Sequence, residues 1–255
     1  MMMHKEDNGR RNFIKTAAMG SLFLAGAPTI ASAEKVEKTK KITLEKDDVI
    51  LFQGDSITDG GRNKAILDFN NSAGLGPTYP YLTAAALLNN FPDKNLKIYN
   101  RGVGGNKVYQ LAQRWDKDCL GLKPNVLSIL IGVNDYLHKR NGTYNGTIKI
   151  FSDDYKNLLL RTKEKFPDIK LIIAEPFGVF GVKGVDESWR PEFDEYRYVA
   201  ARLAKEFDSA FIPLQTVFDN AKKLAEGSYW SKDGVHPDIA GHELMAKNWV
   251  EVFKG

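Results

Sequence analysis

The sequence predicts a single α/β domain with a doubly wound parallel sheet. Two patterns indicate it: five short, continuous apolar runs, and longer segments between them whose apolar residues recur at helical spacing. A continuous apolar run is typical of a strand buried on both faces, as in a parallel sheet. No internal repeat or low-complexity linker interrupts the body of the chain, which favours one domain.

The elements follow one another in alternating order. The apolar runs predict strands over residues 49–53, 97–100, 126–131, 170–174 and 210–213. The apolar spacing i, i+3, i+4, i+7, i+11 predicts helices over 155–166 and 196–207, and weaker patterns predict helices over 81–90, 107–120, 216–225 and 239–253. Two irregular segments, 60–80 and 176–191, follow strands. They are candidate pocket walls, because ligands bind beyond the carboxyl ends of parallel strands.

Residues 1–33 are typical of a cleaved export signal. Arg10 and Arg11 precede an apolar run over residues 17–30 that is too short to span a bilayer, and a small-residue cleavage motif ends at Ala33. The twin arginine resembles a twin-arginine export signal, the alternative being an ordinary secretory signal. We therefore expect a bacterial periplasmic or extracellular protein, with a lead-in over 34–48 and one α/β domain over 49–255.

Charge and cysteine content exclude several kinds of partner. The formal net charge is +4, of which residues 1–33 carry +2, with four basic side chains against two acidic ones. The remaining +2 and the absence of a polybasic run argue against binding to nucleic acid. After residue 33 the sequence contains no run of about 18 apolar residues, so we expect no stable membrane association. The single cysteine, Cys119, has no partner for an intramolecular disulfide and is expected to be an inert helix residue.

The first chemical motif surrounds Ser56. It is Gly-Asp-Ser-Ile-Thr-Asp-Gly, residues 54–60, directly after the strand predicted over 49–53. A serine at this position can lie on a tight turn, with its hydroxyl exposed and its N–H available to an anion. The alternative is a helix cap or turn serine.

The second motif is Asp-Gly-Val-His-Pro, residues 233–237, ahead of the last predicted helix. A serine nucleophile needs a base, and the three-residue spacing allows the Asp233 carboxylate to orient the imidazole of His236. Of the other histidines, His4 lies in the export signal, His138 follows the third strand, and His242 is expected to be a surface or core residue of the last helix. No other His, Cys or carboxylate cluster has zinc-like spacing, so we expect no metal site.

Two further motifs, Asn-Arg-Gly-Val-Gly-Gly-Asn (residues 100–106) and Gly-Val-Asn-Asp (residues 132–135), each follow a strand. The Gly105 N–H and the Asn134 amide are candidate donors to the oxyanion of an acyl-transfer intermediate. The glycine run lacks the spacings of phosphate and dinucleotide loops, which argues against nucleotide binding.

These four motifs, taken in order, resemble the four blocks of the SGNH, or GDSL, hydrolase superfamily. The resemblance covers about residues 49–240 and shows no departure at the catalytic positions. It implies a three-layer α/β/α sandwich with a flavodoxin-like, five-stranded parallel sheet. It also implies a serine esterase that needs no cofactor.

The resemblance assigns a role to each motif residue. Ser56, His236 and Asp233 match the catalytic triad, and Ser56, Gly105 and Asn134 match the oxyanion donors. Asp55 and Asp135 belong to the same motifs, and we interpret them as structural residues that accept hydrogen bonds from turn N–H groups.

The substrate is less constrained than the reaction, since one fold serves many substrates. Aromatic residues near the predicted site edge could stack on sugar rings or pack beneath the loops: Tyr79, Phe177, Phe180, Trp189 and Trp230. Segment 60–80 is mostly small and polar and does not look like an apolar lid. We therefore expect removal of a small acyl group, such as acetyl, from a small-molecule or glycan ester. The alternatives are a lysophospholipase or thioesterase and a non-catalytic carbohydrate-binding protein.

Overall fold

The five predicted strands form one parallel sheet in the computed structural model, which describes residues 40–254. The export signal predicted over 1–33 lies outside the described residues. The sheet has the order β3-β2-β4-β5-β6, and a separate two-stranded parallel sheet pairs β1 with β7. The strands are β1 (Ile42–Thr43), β2 (Val49–Gly54), β3 (Lys97–Asn100), β4 (Val126–Leu130), β5 (Lys170–Ala174), β6 (Ala210–Ile212) and β7 (Phe253–Lys254).

Helices connect the strands, as the alternating pattern predicts. Longer helices fill the crossovers, and short ones lie near the carboxyl edge of the sheet. They are α1 (Ser56–Asp59), α2 (Ser72–Leu75), α3 (Tyr79–Asn90), α4 (Val108–Asp118), α5 (Val133–Arg140), α6 (Ile148–Lys165), α7 (Glu192–Glu206), α8 (Leu214–Ala221), α9 (Gly227–Trp230) and α10 (Ile239–Val250). Single 3₁₀ turns span Pro92–Lys94, Leu120–Leu122 and Glu187–Trp189.

The helices form two layers around the sheet. Helices α3 and α10 pack together on one side, and α4, α6 and α7 pack together on the other. The interface between α3, α10 and the sheet is filled by Phe52 of β2, Tyr79 and Trp249. The ring centroid of Tyr79 lies 5.7 Å from that of Phe52 and 4.4 Å from that of Trp249. The buried indole N–H of Trp249 donates to Ser128 of β4 at 2.8 Å, so the large ring is packed without an unpaired polar group. The predicted α/β/α sandwich is confirmed.

The small sheet was not predicted. The charged lead-in expected over 34–48 instead contains β1, which pairs with β7 at the other end of the chain, and Ile42 and Leu44 are buried. Because Phe253 and Lys254 form β7, the last helix, predicted to reach residue 253, ends at Val250. Two-residue strands leave no periodicity to detect, which explains the omission.

The carboxyl ends of the five strands meet at one edge of the sheet, and the predicted site residues follow β2, β3 and β4 there. None of the helices within residues 40–254 is long and apolar enough to cross a membrane.

Candidate active site

Ser56 lies at the first position of α1, directly beyond the end of β2. Asp55 caps this helix: its Oδ1 accepts the Ile57 N–H at 3.0 Å. Gly60 ends the helix with φ +51°, and a Cβ there would lie 2.0 Å from the Thr78 side chain. Only glycine fits this turn, which holds Ser56 at the edge of the sheet.

Ser56, His236 and Asp233 form a continuous hydrogen-bonded chain. The Ser56 hydroxyl donates to Nε2 of His236 at 2.8 Å, and Nδ1–H of His236 donates to Oδ2 of Asp233 at 2.8 Å. Since Nδ1 holds the proton that Asp233 accepts, Nε2 is free to act as a base toward Ser56. The structure thus brings the three predicted residues together from opposite ends of the domain.

The turn that holds Asp233 also keeps its carboxylate ionised. Burial opposes ionisation, but the His236 N–H at 2.7 Å, the His236 ring and the Val235 N–H at 2.9 Å outweigh it, and the pKa of Asp233 falls to about 2. Both oxygens of the carboxylate are therefore engaged. The group that orients the imidazole is charged at any pH where the protein is expected to work.

A buried serine closes the base of the same turn. Ser231 is fully buried, its hydroxyl donates to the His236 carbonyl at 2.7 Å, and it accepts the Gly234 N–H at 2.9 Å. A bridge pairs Ser231 with Pro237. These contacts fix the loop that carries both Asp233 and His236, so the pair is positioned locally, before the last helix begins.

Two backbone N–H groups near Ser56 are available to a ligand. Neither the Ser56 N–H nor the Gly105 N–H donates to another residue among 40–254. Gly105 has φ +76°, and a Cβ at Gly104 would lie 3.7 Å from Cβ of Ser56, so the glycine run passes directly over the serine. The Asn134 amide, on the first turn of α5, donates to the Asn106 carbonyl at 3.4 Å and also lies near enough to Asp55 to act on the pKa of that carboxyl. All three predicted oxyanion donors therefore lie at the same edge, Ser56 and Asn134 on the first turns of α1 and α5 and Gly105 on the loop between β3 and α4.

Two polar side chains within the predicted motifs, to which the sequence assigned no role, hold the glycine run in place. Asp59, on α1, accepts the Gly104 N–H at 2.8 Å. Asn100, at the end of β3, donates to the Thr58 carbonyl at 2.7 Å and accepts the Gly102 N–H at 2.8 Å. Both link the helix that carries Ser56 to the neighbouring loop.

Arg114 of α4 was also missed. Its guanidinium donates to the Gly54 carbonyl at 3.3 Å, to the Arg101 carbonyl at 2.7 Å and to Oδ1 of Asn106 at 2.8 Å, with Asp118 as its counter-ion at 3.0 Å. One side chain therefore ties the end of β2 to the glycine run. In the sequence, the only indication of this role is that Arg114 lies next to the apolar stripe of α4, at a position where a cation is not expected to face solvent.

Asp55 and Asp135 lie behind the site as structural residues. Both oxygens of Asp135 lie within 3.2–3.3 Å of the Val108 N–H. Burial raises the pKa of each carboxyl to about 7, against the opposing effect of these N–H groups. Each side chain accepts a turn N–H, as the sequence predicts.

Most of the aromatic candidates do not face a ligand. Tyr79 and Phe177 are fully buried and Trp189 is 2% exposed, so the prediction that they contact substrate is wrong. Tyr79 packs between Phe52 and Trp249, Phe177 stacks on Phe218, and Trp189 packs against Tyr136. Phe180 is also buried. Their packing beneath the long loops was the alternative interpretation, and it holds.

Trp230 remains a candidate contact because it is partly exposed and lies on α9. Its carbonyl accepts the Asp238 N–H at 2.9 Å, at the base of the triad turn. Cys119 is buried, and burial raises the pKa of its thiol, consistent with an inert residue. Among residues 40–254 no group of three or more His, Cys, Asp or Glu side chains could hold a metal ion.

Comparison with known proteins agrees with this geometry. Residues 52–244 match the GDSL-like lipase/acylhydrolase family. An acetylxylan esterase from Geobacillus stearothermophilus is 32% identical over 206 residues, which cover 79% of this chain and 91% of that enzyme.

Solved structures show the same fold. A protein assigned to the GDSL-like lipases from Parabacteroides merdae has 49% identity and a TM-score of 0.81, over 83% of this chain and 98% of that one. The acetylxylan esterase from Geobacillus stearothermophilus has 28% identity and a TM-score of 0.75, over 83% and 96%. Catalytic variants of that esterase replace a serine or a histidine with alanine.

Proposed function

Because the chain belongs to the GDSL-like lipase/acylhydrolase family, we propose that it removes a small acyl group, acetyl above all, from a carbohydrate ester. That it is a carboxylic ester hydrolase follows from the family. The acetyl group and the carbohydrate are supported by the acetylxylan esterase relative. The observation that carries the proposed mechanism is the chain of two 2.8 Å hydrogen bonds from Ser56 through His236 to Asp233.

Acylation is the first half of the proposed reaction. Nε2 of His236 takes the hydroxyl proton as Oγ of Ser56 attacks the ester carbonyl carbon. The carbonyl oxygen becomes an oxyanion that the Ser56 N–H, the Gly105 N–H and the Asn134 amide stabilise. The intermediate collapses when the bond to the sugar oxygen breaks, and His236 returns its proton to that oxygen.

Deacylation reverses the roles. His236 takes a proton from water, the hydroxide attacks the acyl-enzyme carbonyl, and the bond to Oγ breaks as His236 protonates it. Acetate leaves and Ser56 is regenerated. Asp233 stays ionised throughout and stabilises the imidazolium that forms in each half. The scheme uses side chains, two backbone N–H groups and water, and no cofactor.

The test is initial-rate kinetics of the mature chain on nitrophenyl esters from acetyl to decanoyl and on acetylated xylo-oligosaccharides. We expect the highest kcat/KM on acetyl esters, and loss of several orders of magnitude in Ser56→Ala without loss of the fold. Rates that rise with acyl length would support a lysophospholipase or thioesterase instead. Full activity in Ser56→Ala would overturn the assignment of the nucleophile, and absence of activity on every ester would support the non-catalytic alternative.

Export of the protein is part of the same proposal. It is supported by the twin-arginine motif and the cleavage motif within residues 1–33. Mass spectrometry of protein from the culture medium and periplasm of the native host should give a chain that begins near Glu34. A full-length chain confined to the cytoplasm would contradict export.

A further inference from the structure

A cavity of about 500 Å³ lies between the loop after α1, the start of α3 and the start of α10. Its volume is within the range of small-molecule sites. The residues that line it include Gly61, Ser72, Tyr81, Ile239 and His242, but not Ser56, Asp233 or His236. It is therefore distinct from the triad.

The cavity nevertheless adjoins the triad on both sides. Gly61 follows the turn that ends the Ser56 helix, and Ile239 lies three residues beyond His236. Gly76, which also lines the cavity, lies against the end of the Ser56 helix, since a Cβ there would lie 2.8 Å from the Asp59 carbonyl oxygen. A molecule whose ester group is bound at Ser56 can extend into this cavity.

The walls suit a neutral ligand with an apolar face. None of the described residues that line the cavity is Asp, Glu, Lys or Arg. Tyr81 is 39% exposed and Ile239 is 88% exposed, so both offer apolar surface to an occupant. An exposed tyrosine ring beside aliphatic side chains is a surface on which the C–H face of a sugar ring packs well.

His242 adds an unsatisfied hydrogen-bonding group to this wall. The side chain is 8% exposed, Nδ1 is buried without a partner, and Nε2 makes no hydrogen bond with a residue among 40–254. Burial lowers the pKa of His242 to about 4, so the ring is neutral near pH 7, with one nitrogen that donates and one that accepts. A buried polar group without a partner is costly. Nε2, the ring nitrogen that is not enclosed, can pair with a sugar hydroxyl, whereas a hydrocarbon chain offers it no partner.

We propose that this cavity is a subsite for a neutral sugar ring of the ester substrate, packed on Tyr81 and hydrogen-bonded to His242. The proposal rests on the function proposed above and specifies the substrate further: an oligosaccharide rather than a single acetylated sugar. It gives the enzyme a preference for uncharged glycans, since none of the described residues of the wall is a Lys or Arg that could form an ion pair with a uronate carboxylate.

The first test compares two substrates in Tyr81→Ala. The kcat/KM for an acetylated neutral xylo-oligosaccharide, divided by that for nitrophenyl acetate, should fall about tenfold, mainly through KM. The matched control is Tyr198→Ala, which removes a 66% exposed tyrosine of α7 and should leave the ratio unchanged. An unchanged ratio in Tyr81→Ala would overturn the proposal. So would a selective loss of activity on nitrophenyl decanoate, which would assign the cavity to an acyl chain.

The second test measures binding without turnover. Calorimetric titration of Ser56→Ala with unacetylated xylotetraose should detect binding that weakens about tenfold when Tyr81→Ala or His242→Leu is added. If the wild type deacetylates glycans but this titration shows no binding, the subsite is wrong and the proposed function stands. If the wild type hydrolyses only nitrophenyl esters yet the oligosaccharide binds through Tyr81, the subsite stands and the proposed substrate is wrong.

Discussion

Replacing Asp55 with asparagine should remove a large part of the pH dependence of stability between about pH 4 and pH 7. Asp55 is fully buried, its Oδ1 accepts the Ile57 N–H, and its Oδ2 has no partner among residues 40–254. Burial raises the pKa of this carboxyl from its ordinary 3.8 to about 7, although the Ile57 N–H and the charge of His236 act in the opposite direction. Asparagine retains the oxygen that Ile57 needs and carries no titrating proton.

The sign and size follow from proton binding. Below about pH 4 Asp55 is protonated in both the folded and the unfolded chain. Between pH 4 and 7 only the folded chain keeps the proton, so the free energy of unfolding falls as pH rises, and above pH 7 the loss is complete. A pKa difference from 3.8 to about 7 corresponds to a change of about 4 kcal/mol in the free energy of unfolding. The free energy of unfolding of Asp55→Asn, relative to that of the wild type, should therefore rise by about that amount between pH 4 and pH 8.

The assay is urea unfolding of the mature chain, followed by circular dichroism at pH 4, 5.5, 7 and 8. Asp68→Asn, which removes the charge of an exposed aspartate, is the matched control and should not change the slope. Asp135 titrates in both proteins, and because the Asp55 carboxylate contributes to raising its pKa, the Asp135 contribution should be smaller in Asp55→Asn and change stability in the same direction. If the wild type and Asp55→Asn differ by the same amount at pH 4 and pH 8, the argument from burial is wrong.

Three further predictions concern activity on nitrophenyl acetate, with circular dichroism as the check on folding. Asp233→Asn should lower kcat by roughly 10⁴-fold, since the imidazole loses its orienting charge. Because the pKa of Asp233 is about 2, its protonation should cause no loss of wild-type activity above pH 4. A loss of wild-type activity near pH 5 that is traced to this group would contradict the assignment. Asn134→Ala should lower kcat by roughly 10²- to 10³-fold with little change in KM, whereas a pure KM effect would place Asn134 in ground-state binding. Arg114→Lys should lower kcat roughly 10- to 100-fold, because an ammonium cannot hold the Gly54 carbonyl and the Asn106 side chain together; wild-type kcat in a folded variant would exclude this positioning role.

Strands β2, β4 and β5 were predictable because they are buried on both faces, and the outer strands β3 and β6 because their short apolar runs still bury every second residue. Residues 97–100 and 170–174 were predicted with the bounds the structure has, and the other three strands differ by one residue at one end. Helix α5 escaped prediction since its eight residues, Val133–Arg140, begin within the motif over 132–135, which was interpreted only for chemistry. Strands β1 and β7 depend on each other across the whole chain, and no local pattern reports such a pairing.

The catalytic site likewise contains residues that local motifs predict and residues that they do not. Asp233 and His236 are three residues apart, and Ser56, Gly105 and Asn134 follow strand ends, so local motifs predict where these residues lie. The residues that position the donors, Arg114 and Asp59, act through the fold. Arg114 of α4 reaches the end of β2 across 60 residues of sequence, and Asp59 meets Gly104 only because β2 and β3 are neighbours.

The tyrosines of α3 show why the aromatic predictions went wrong and where a ligand surface lies instead. Tyr79 and Tyr81 are two residues apart on one helix, so their side chains point about 200° apart around its axis. Tyr79 is needed in the core, where its hydroxyl pairs with Thr58 at 2.9 Å and its ring contacts Trp249. Tyr81 must therefore face away from the core, where it forms a wall of the cavity beside the triad. Proximity to a strand end in the sequence cannot show which of the two tyrosines faces a ligand. The face of the helix on which each tyrosine lies can show it.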